Sequence, residues 1–173
     1  MIRRAIKADI IIIGTGHRLQ AGHSEYSFDQ HKSFRSLLAG TCKKYRVKLI
    51  AEEMSEDALS AFETTETNGH QVAKNKNIQH RYVDLTGSER SQFGNDRFSL
   101  HQIGQAAKMS APQFAALERF TEELREYVWL TRLLAINIWP TLFVCGANHG
   151  PRVTHLFNSV GKFAVLEIND YAP

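Results

Sequence analysis

The chain has 173 residues, is 43% hydrophobic and 23% charged, and carries a formal net charge of +3. This composition is that of a globular chain with an interior large enough for one core, and it excludes a low-complexity or fibrous class. No apolar run approaches the roughly 20 residues that span a bilayer, the charge is too small to signal nucleic acid, and two cysteines give no disulfide framework.

Arg3, Arg4 and Lys7 precede an apolar run, Ile10 to Ile13. The run is too short for a signal-peptide core and no small-residue cleavage site follows it, so it reads as the first strand, Asp9 to Gly14, of a cytoplasmic protein. Irregular polar sequence follows to Ser27. Phe34, Leu37 and Leu38 then mark a helix over Phe28–Tyr45, with Ser27 or Asp29 as its cap. Val47 to Glu52 is a second strand ending in paired acids, Glu52 and Glu53. A helix start at Ser55 to Asp57, a polar loop and a short helix over His70–Lys76 lead to a third strand, His80 to Asp84. Leu85 to Pro112 carries Gly87, Gly94 and Gly104 and is mostly polar, with a short helix around Ser88 to Phe93; Leu85 to Ser110 is expected to be the least regular long segment and to lie over the site as a lid or rim. Pro112 to Ile136 has the longest helical periodicity. Leu142 to Cys145 is a fourth strand. Pro151 opens a helix with Val153, Leu156 and Phe157 on one face, Gly161 ends it, and Phe163 to Ile168 is the last strand. Strands alternating with helices predict a single α/β domain over 1–173, a three-layer sandwich around a mainly parallel sheet of about five strands.

Two turns stand out. Gly14-Thr15-Gly16-His17 follows the first strand and Gly146-Ala147-Asn148-His149 follows the fourth. Sites in open parallel sheets form beyond the carboxyl ends of the strands, and His17, Glu52 or Glu53, Asp84 and His149 all fall just past such ends. Two imidazoles plus a carboxylate suit Zn²⁺, Mn²⁺ or Fe²⁺, so His17, His149 and Glu52 are the candidate metal ligands, with a second carboxylate, Glu53, as general base. Gly14, Thr15, Gly146, Asn148, Asp84 and Arg125 are candidate substrate contacts, Arg125 because a helical arginine can meet an anionic group or the site carboxylates. Consecutive strand residues point to opposite faces, so one of Glu52 and Glu53 is expected to reach the site. His70, His80, His101 and His155 have no partner that spacing identifies, and His31 is expected on the surface.

The set Gly14–His17, Ala51-Glu52-Glu53 and Gly146–His149 resembles the TraB/Tiki/erythromycin-esterase-like group, whose members carry two Gly-x-x-His motifs and an acidic residue after an intervening strand. The helix, Gly161 and final strand are similar too. The resemblance implies metal-dependent hydrolysis of a small-molecule or peptide substrate, with His17, Glu52 and His149 at the centre. A competing dinucleotide reading of Gly14-x-Gly16 lacks its third glycine, which would fall at Leu19. Two non-catalytic readings stay open: an α/β module that binds a nucleotide or other small anion at the same edge, and a degenerate scaffold acting through protein contacts.

Overall fold

A computed structural model describes residues 7–173; the arginines at positions 3 and 4 lie outside the described residues. Its centre is a five-stranded sheet of β1 (Ile10–Thr15), β2 (Leu49–Glu52), β3 (Gln79–Tyr82), β4 (Thr141–Gly146) and β5 (Ala164–Tyr171), in the order β3-β2-β4-β1-β5. Every neighbouring pair is parallel. The reason is visible in the connections, each of which contains at least one helix, as parallel crossovers require.

The sheet is covered on both faces, which is why its central strands are apolar without alternation. Ile10 to Ile13 are all fully buried, yet they serve two cores. Ile11 and Ile13 pack with Leu19 of α1 (His17–Ala21), with Phe34, Leu38 and Cys42 of α2 (Phe28–Tyr45), and with Val72 and Ala73 of α4 (Asn68–Lys76). Ile10 and Ile12 pack with Trp129, Leu130 and Leu133 of α7 (Ala111–Ile136), and with Val153, Leu156 and Phe157 of α8 (Gly150–Ser159). The remaining helix after β2, α3 (Glu56–Ala61), contributes Leu59 to a small cluster with Met54 and Ala21.

The segment after β3 holds the helix expected around Ser88 to Phe93 but is more regular than expected beyond it. It is helical, with α5 (Gly87–Gln92) and α6 (Arg97–Ala106) separated by a short turn. Capping decides this where apolar periodicity does not: Thr86 and Glu89 form a reciprocal capping box at α5, and Asp96 accepts from the Ser99 N–H at α6. The polar stretch after β1 likewise contains α1, closed by Gly22 in the left-handed conformation at φ 82°.

The topology fixes where a site can form. β1 and β4 are neighbours, but the chain leaves β1 towards the α1/α2 layer and leaves β4 towards α8 on the other face. Their carboxyl ends therefore part around a crevice, the switch point at which open α/β sheets hold ligands.

Candidate functional site

Both glycine-histidine turns open onto this crevice. Gly16 caps α1 at His17, and after Gly146 one 3₁₀ turn, Ala147–His149, leads into α8. The crevice, of about 320 Å³, is lined by Thr15, Gly16, His17, Asn148, His149 and Asp170.

Glu53, the first residue past β2, lies at its floor with a side chain only 1% exposed. Its Oε1 lies 3.7 Å from Nε2 of His17 and 3.7 Å from Nε2 of His149. Arg125 Nη2 donates to the same oxygen at 2.6 Å, and the backbone N–H of Gly146 donates to Oε2 at 2.7 Å. Gly146 has no room for a side chain: a Cβ there would sit 2.9 Å from both Cε1 and Nε2 of His17. The absence of a Cβ lets the His17 ring lie against the end of β4 beside Glu53.

Each charged group here is held by a second one. His149 Nδ1 is 2.8 Å from Oε1 of Glu126, a buried carboxylate on α7, and the Arg152 guanidinium pairs with the other Glu126 oxygen by charge at 2.6 Å without hydrogen-bond geometry. Burial alone would lower the His149 pKa; the Glu126 hydrogen bond and the Glu53 charge outweigh it and hold the value above 6.5. Arg125 is fixed by Asp84, whose Oδ1 accepts from Nε at 3.1 Å and whose Oδ2 accepts from Nη2 at 2.8 Å. Asp84 also accepts from the Trp129 indole N–H at 2.9 Å and from Arg90. Burial alone would raise Asp84, but the Arg125 charge and hydrogen bonds, with Arg90, leave its carboxyl below 3.8. The thiol of Cys145, fully buried in β4, is pushed far up by desolvation and is no nucleophile.

Glu52 does not join this cluster. It is the last residue of β2, and strand alternation turns it to the α1/α4 side, opposite to Glu53. There it is fully buried and accepts from Thr67 Oγ1, from His80 Nε2 at 2.8 Å and from Gln20 Nε2 at 3.2 Å. Gly69 packs on it, since a Cβ at that position would come within 2.5 Å of Oε1. The carboxylate beside the two imidazoles is thus Glu53, and the expected pairing of Glu52 with His17 and His149 is corrected. Gly14 is also placed elsewhere: a Cβ there would lie 2.0 Å from the carbonyl oxygen of Asn169, so this glycine admits β5 and not a ligand. Thr15 lines the crevice with its hydroxyl donated to the carbonyl of Tyr171. Asn148 stands exposed at the rim. Asp84 acts through Arg125, outside the crevice.

Sequence reasoning missed Glu126, and there was a signal for it. Glu126, Trp129, Leu130 and Leu133 recur at helical spacing and all are buried, so Glu126 is a carboxylate on the apolar stripe of α7. A buried acid at such a position requires a partner, and His149 is that partner.

The disposition of the groups bears on metal binding. Among the described residues no three His, Cys, Asp or Glu side chains stand ready-made as a metal site; the oxygen that both imidazoles face is shared with Arg125. The kinds of donor nonetheless fit a divalent ion, because neither His17 Nε2 nor His149 Nε2 has a hydrogen-bond partner among the described residues. Among those residues, too, no helix is long and apolar enough to cross a membrane. Comparison with family profiles, curated proteins and solved structures finds no match.

Proposed function

We propose that the protein is a hydrolase of the cytoplasm that acts on a small-molecule or peptide substrate at the β1/β4 crevice. The observation that carries this reading is the meeting of His17 Nε2 and His149 Nε2 at one oxygen of Glu53, each 3.7 Å away. Neither turn needs a histidine for its backbone, since Asn or Ser caps a helix as well. The residues come from β1, β2 and β4 ends that are far apart in the chain, and their convergence supports a shared task. The resemblance to the TraB/Tiki/erythromycin-esterase-like group belongs to this proposal, with Glu53 taking the place first given to Glu52.

His17, His149 and Glu53 would hold a Zn²⁺, Mn²⁺ or Fe²⁺ ion. Such an ion supplies a water acidic enough to attack near neutral pH. The rest is the work of the chain. Glu126 holds the Nδ1 side of the His149 ring, so Nε2 is the nitrogen left facing the crevice. Arg125, clamped by Asp84 and stacked over Trp129 at 5.2 Å, bonds Glu53 and sets a positive charge beside the reacting group. A charge placed there in advance stabilises the oxygen that becomes negative during hydrolysis.

A second reading, a module that binds a small anion, has one specific observation behind it. Arg125 already neutralises Glu53, so the two imidazoles need no cation to balance that carboxylate. One experiment separates the two. Untagged protein is assayed for transition metals and for turnover of an ester, amide and phosphoester panel, alongside His17→Ala, His149→Ala and the surface control His155→Ala. Metal at one equivalent and turnover lost in the first two variants alone supports the hydrolase. Absence of turnover, with anion binding lost in the same variants, supports the module.

A further inference from the structure

A groove of about 880 Å³ runs between α6 and the first half of α7, within the size range of small-molecule sites. Its walls include Phe98, Leu100 and Phe114, and its floor includes Asn95, Thr121 and Arg125. Phe98 is 70% exposed, an apolar ring open to solvent beside the buried Leu100. Arg125 connects the groove to the site, because its Nη2 bonds the Glu53 oxygen that faces both imidazoles. Its Nε and Nη2 are committed to Asp84 and Glu53. Nη1 has no hydrogen-bond partner among the described residues, and it is not one of the unpartnered atoms sealed from solvent. A guanidinium nitrogen held rigidly by two carboxylates, with free N–H donors and aromatic walls around it, is a recognition element for a carbonyl or carboxylate oxygen on an apolar molecule.

We propose that the α6/α7 groove binds the acyl chain of the substrate and that Arg125 Nη1 holds its carbonyl oxygen, which makes acyl esters the substrate class and leaves the released carboxylate as a product that binds in the same place. This rests on the hydrolase reading given above. Gly104 belongs to the same arrangement: a Cβ there would meet the Phe114 ring at 2.7 Å, so glycine lets that ring pack against α6 as a wall.

The test measures binding of butyrate, octanoate and 1-octanol to the full chain by calorimetry, and turnover of butyrate and octanoate esters. Each methylene buried in the groove tightens binding about fourfold, so octanoate binds far more tightly than butyrate. Octanol, which lacks the carboxylate, binds at least about tenfold more weakly than octanoate. Phe98→Glu, at an exposed position, weakens octanoate at least about tenfold, whereas Phe120→Glu, exposed on α7 but outside the groove, leaves it unchanged. Equal affinity for butyrate and octanoate, or an unaffected Phe98→Glu, overturns the proposal. The two readings fail differently. Chain-length-dependent binding without any ester turnover removes the hydrolase and leaves the groove. Ester turnover indifferent to chain length and to Phe98→Glu removes the groove and leaves the hydrolase.

Discussion

Replacing Gly146 with alanine takes the two imidazoles apart without altering either of them. The backbone at Gly146 has φ −59° and ψ 140°, a conformation open to any residue, so alanine there introduces no backbone strain. A Gly→Ala change at a compatible position stabilises by about 0.4–1 kcal/mol through the unfolded chain. Against this stands the contact at 2.9 Å with the His17 ring and a closer one than usual, 3.4 Å, with Glu53 Oε2. Were the ring immovable, overpacking would cost about 1–3 kcal/mol. It is 44% exposed and free to turn outward. The net change in stability is therefore within about 1 kcal/mol of zero, while His17 leaves Glu53. Urea denaturation reads the first quantity. Nuclear Overhauser contacts between the His17 ring and residue 146, together with turnover in the assay described above, read the second. A loss above about 3 kcal/mol, outside the range for overpacking, or a ring that stays against the strand with turnover intact, refutes the argument.

Glu52→Ala behaves in the opposite way: it strands the Thr67, His80 and Gln20 donors in the interior and lowers stability by about 3–5 kcal/mol, as denaturant titration will show. In metal-free protein His149 titrates above 6.5 by NMR, and Glu126→Gln brings its value down. Because the folded value is raised, the stability that His149 contributes is complete below about pH 6.5 and is lost as pH rises through the folded value; Glu126→Gln removes that part of the pH–stability curve. Asp84 has the reverse sign, since its folded value is depressed. Its contribution is complete above about pH 3.9 and is lost as pH falls through the lower folded value, so Asp84→Asn flattens the acid limb of the curve measured at several pH values.

Much of the frame could be read from residue order. Buried strands announce themselves as apolar runs, and helices between them dictate parallel pairing, so the sheet and the positions of both histidine turns at strand ends were accessible. The choice between Glu52 and Glu53 was not. Strand alternation shows that one of them faces each way, but which way depends on register against β4, where Glu52 lies opposite Val144. Arg125 was selected on helical position alone, and its role between Glu53 and Asp84 needed the packing of α7 over the sheet. His31, expected at the surface, is buried: its Nε2 meets the carbonyl of His23 and its Nδ1 meets Asn68, itself fully buried. Those partners lie in α4 and in the turn before α2, so no local pattern names them. The short helix expected around Ser88 to Phe93 is α5, whereas α6 was not legible, because it rests on its Asp96 cap and leaves Phe98 exposed, without the apolar stripe by which a packed helix is recognised.

The place of β1 in the sheet sets an order of events during synthesis. Its two hydrogen-bonded neighbours are β4 and β5, so Ile10 pairs with Thr141 and Ala164, which a ribosome delivers only after most of the chain has been made. Until then four consecutive isoleucines have no edge to join. Such a segment is of the kind that pairs with other chains when left exposed, and contacts this distant in sequence close slowly. Of the five strands of this sheet, the one that positions His17 is made before the others and is among the last to be secured. A nascent chain arrested before β4 would carry an exposed strand and only one of the two histidine turns, a form prone to associate with other chains.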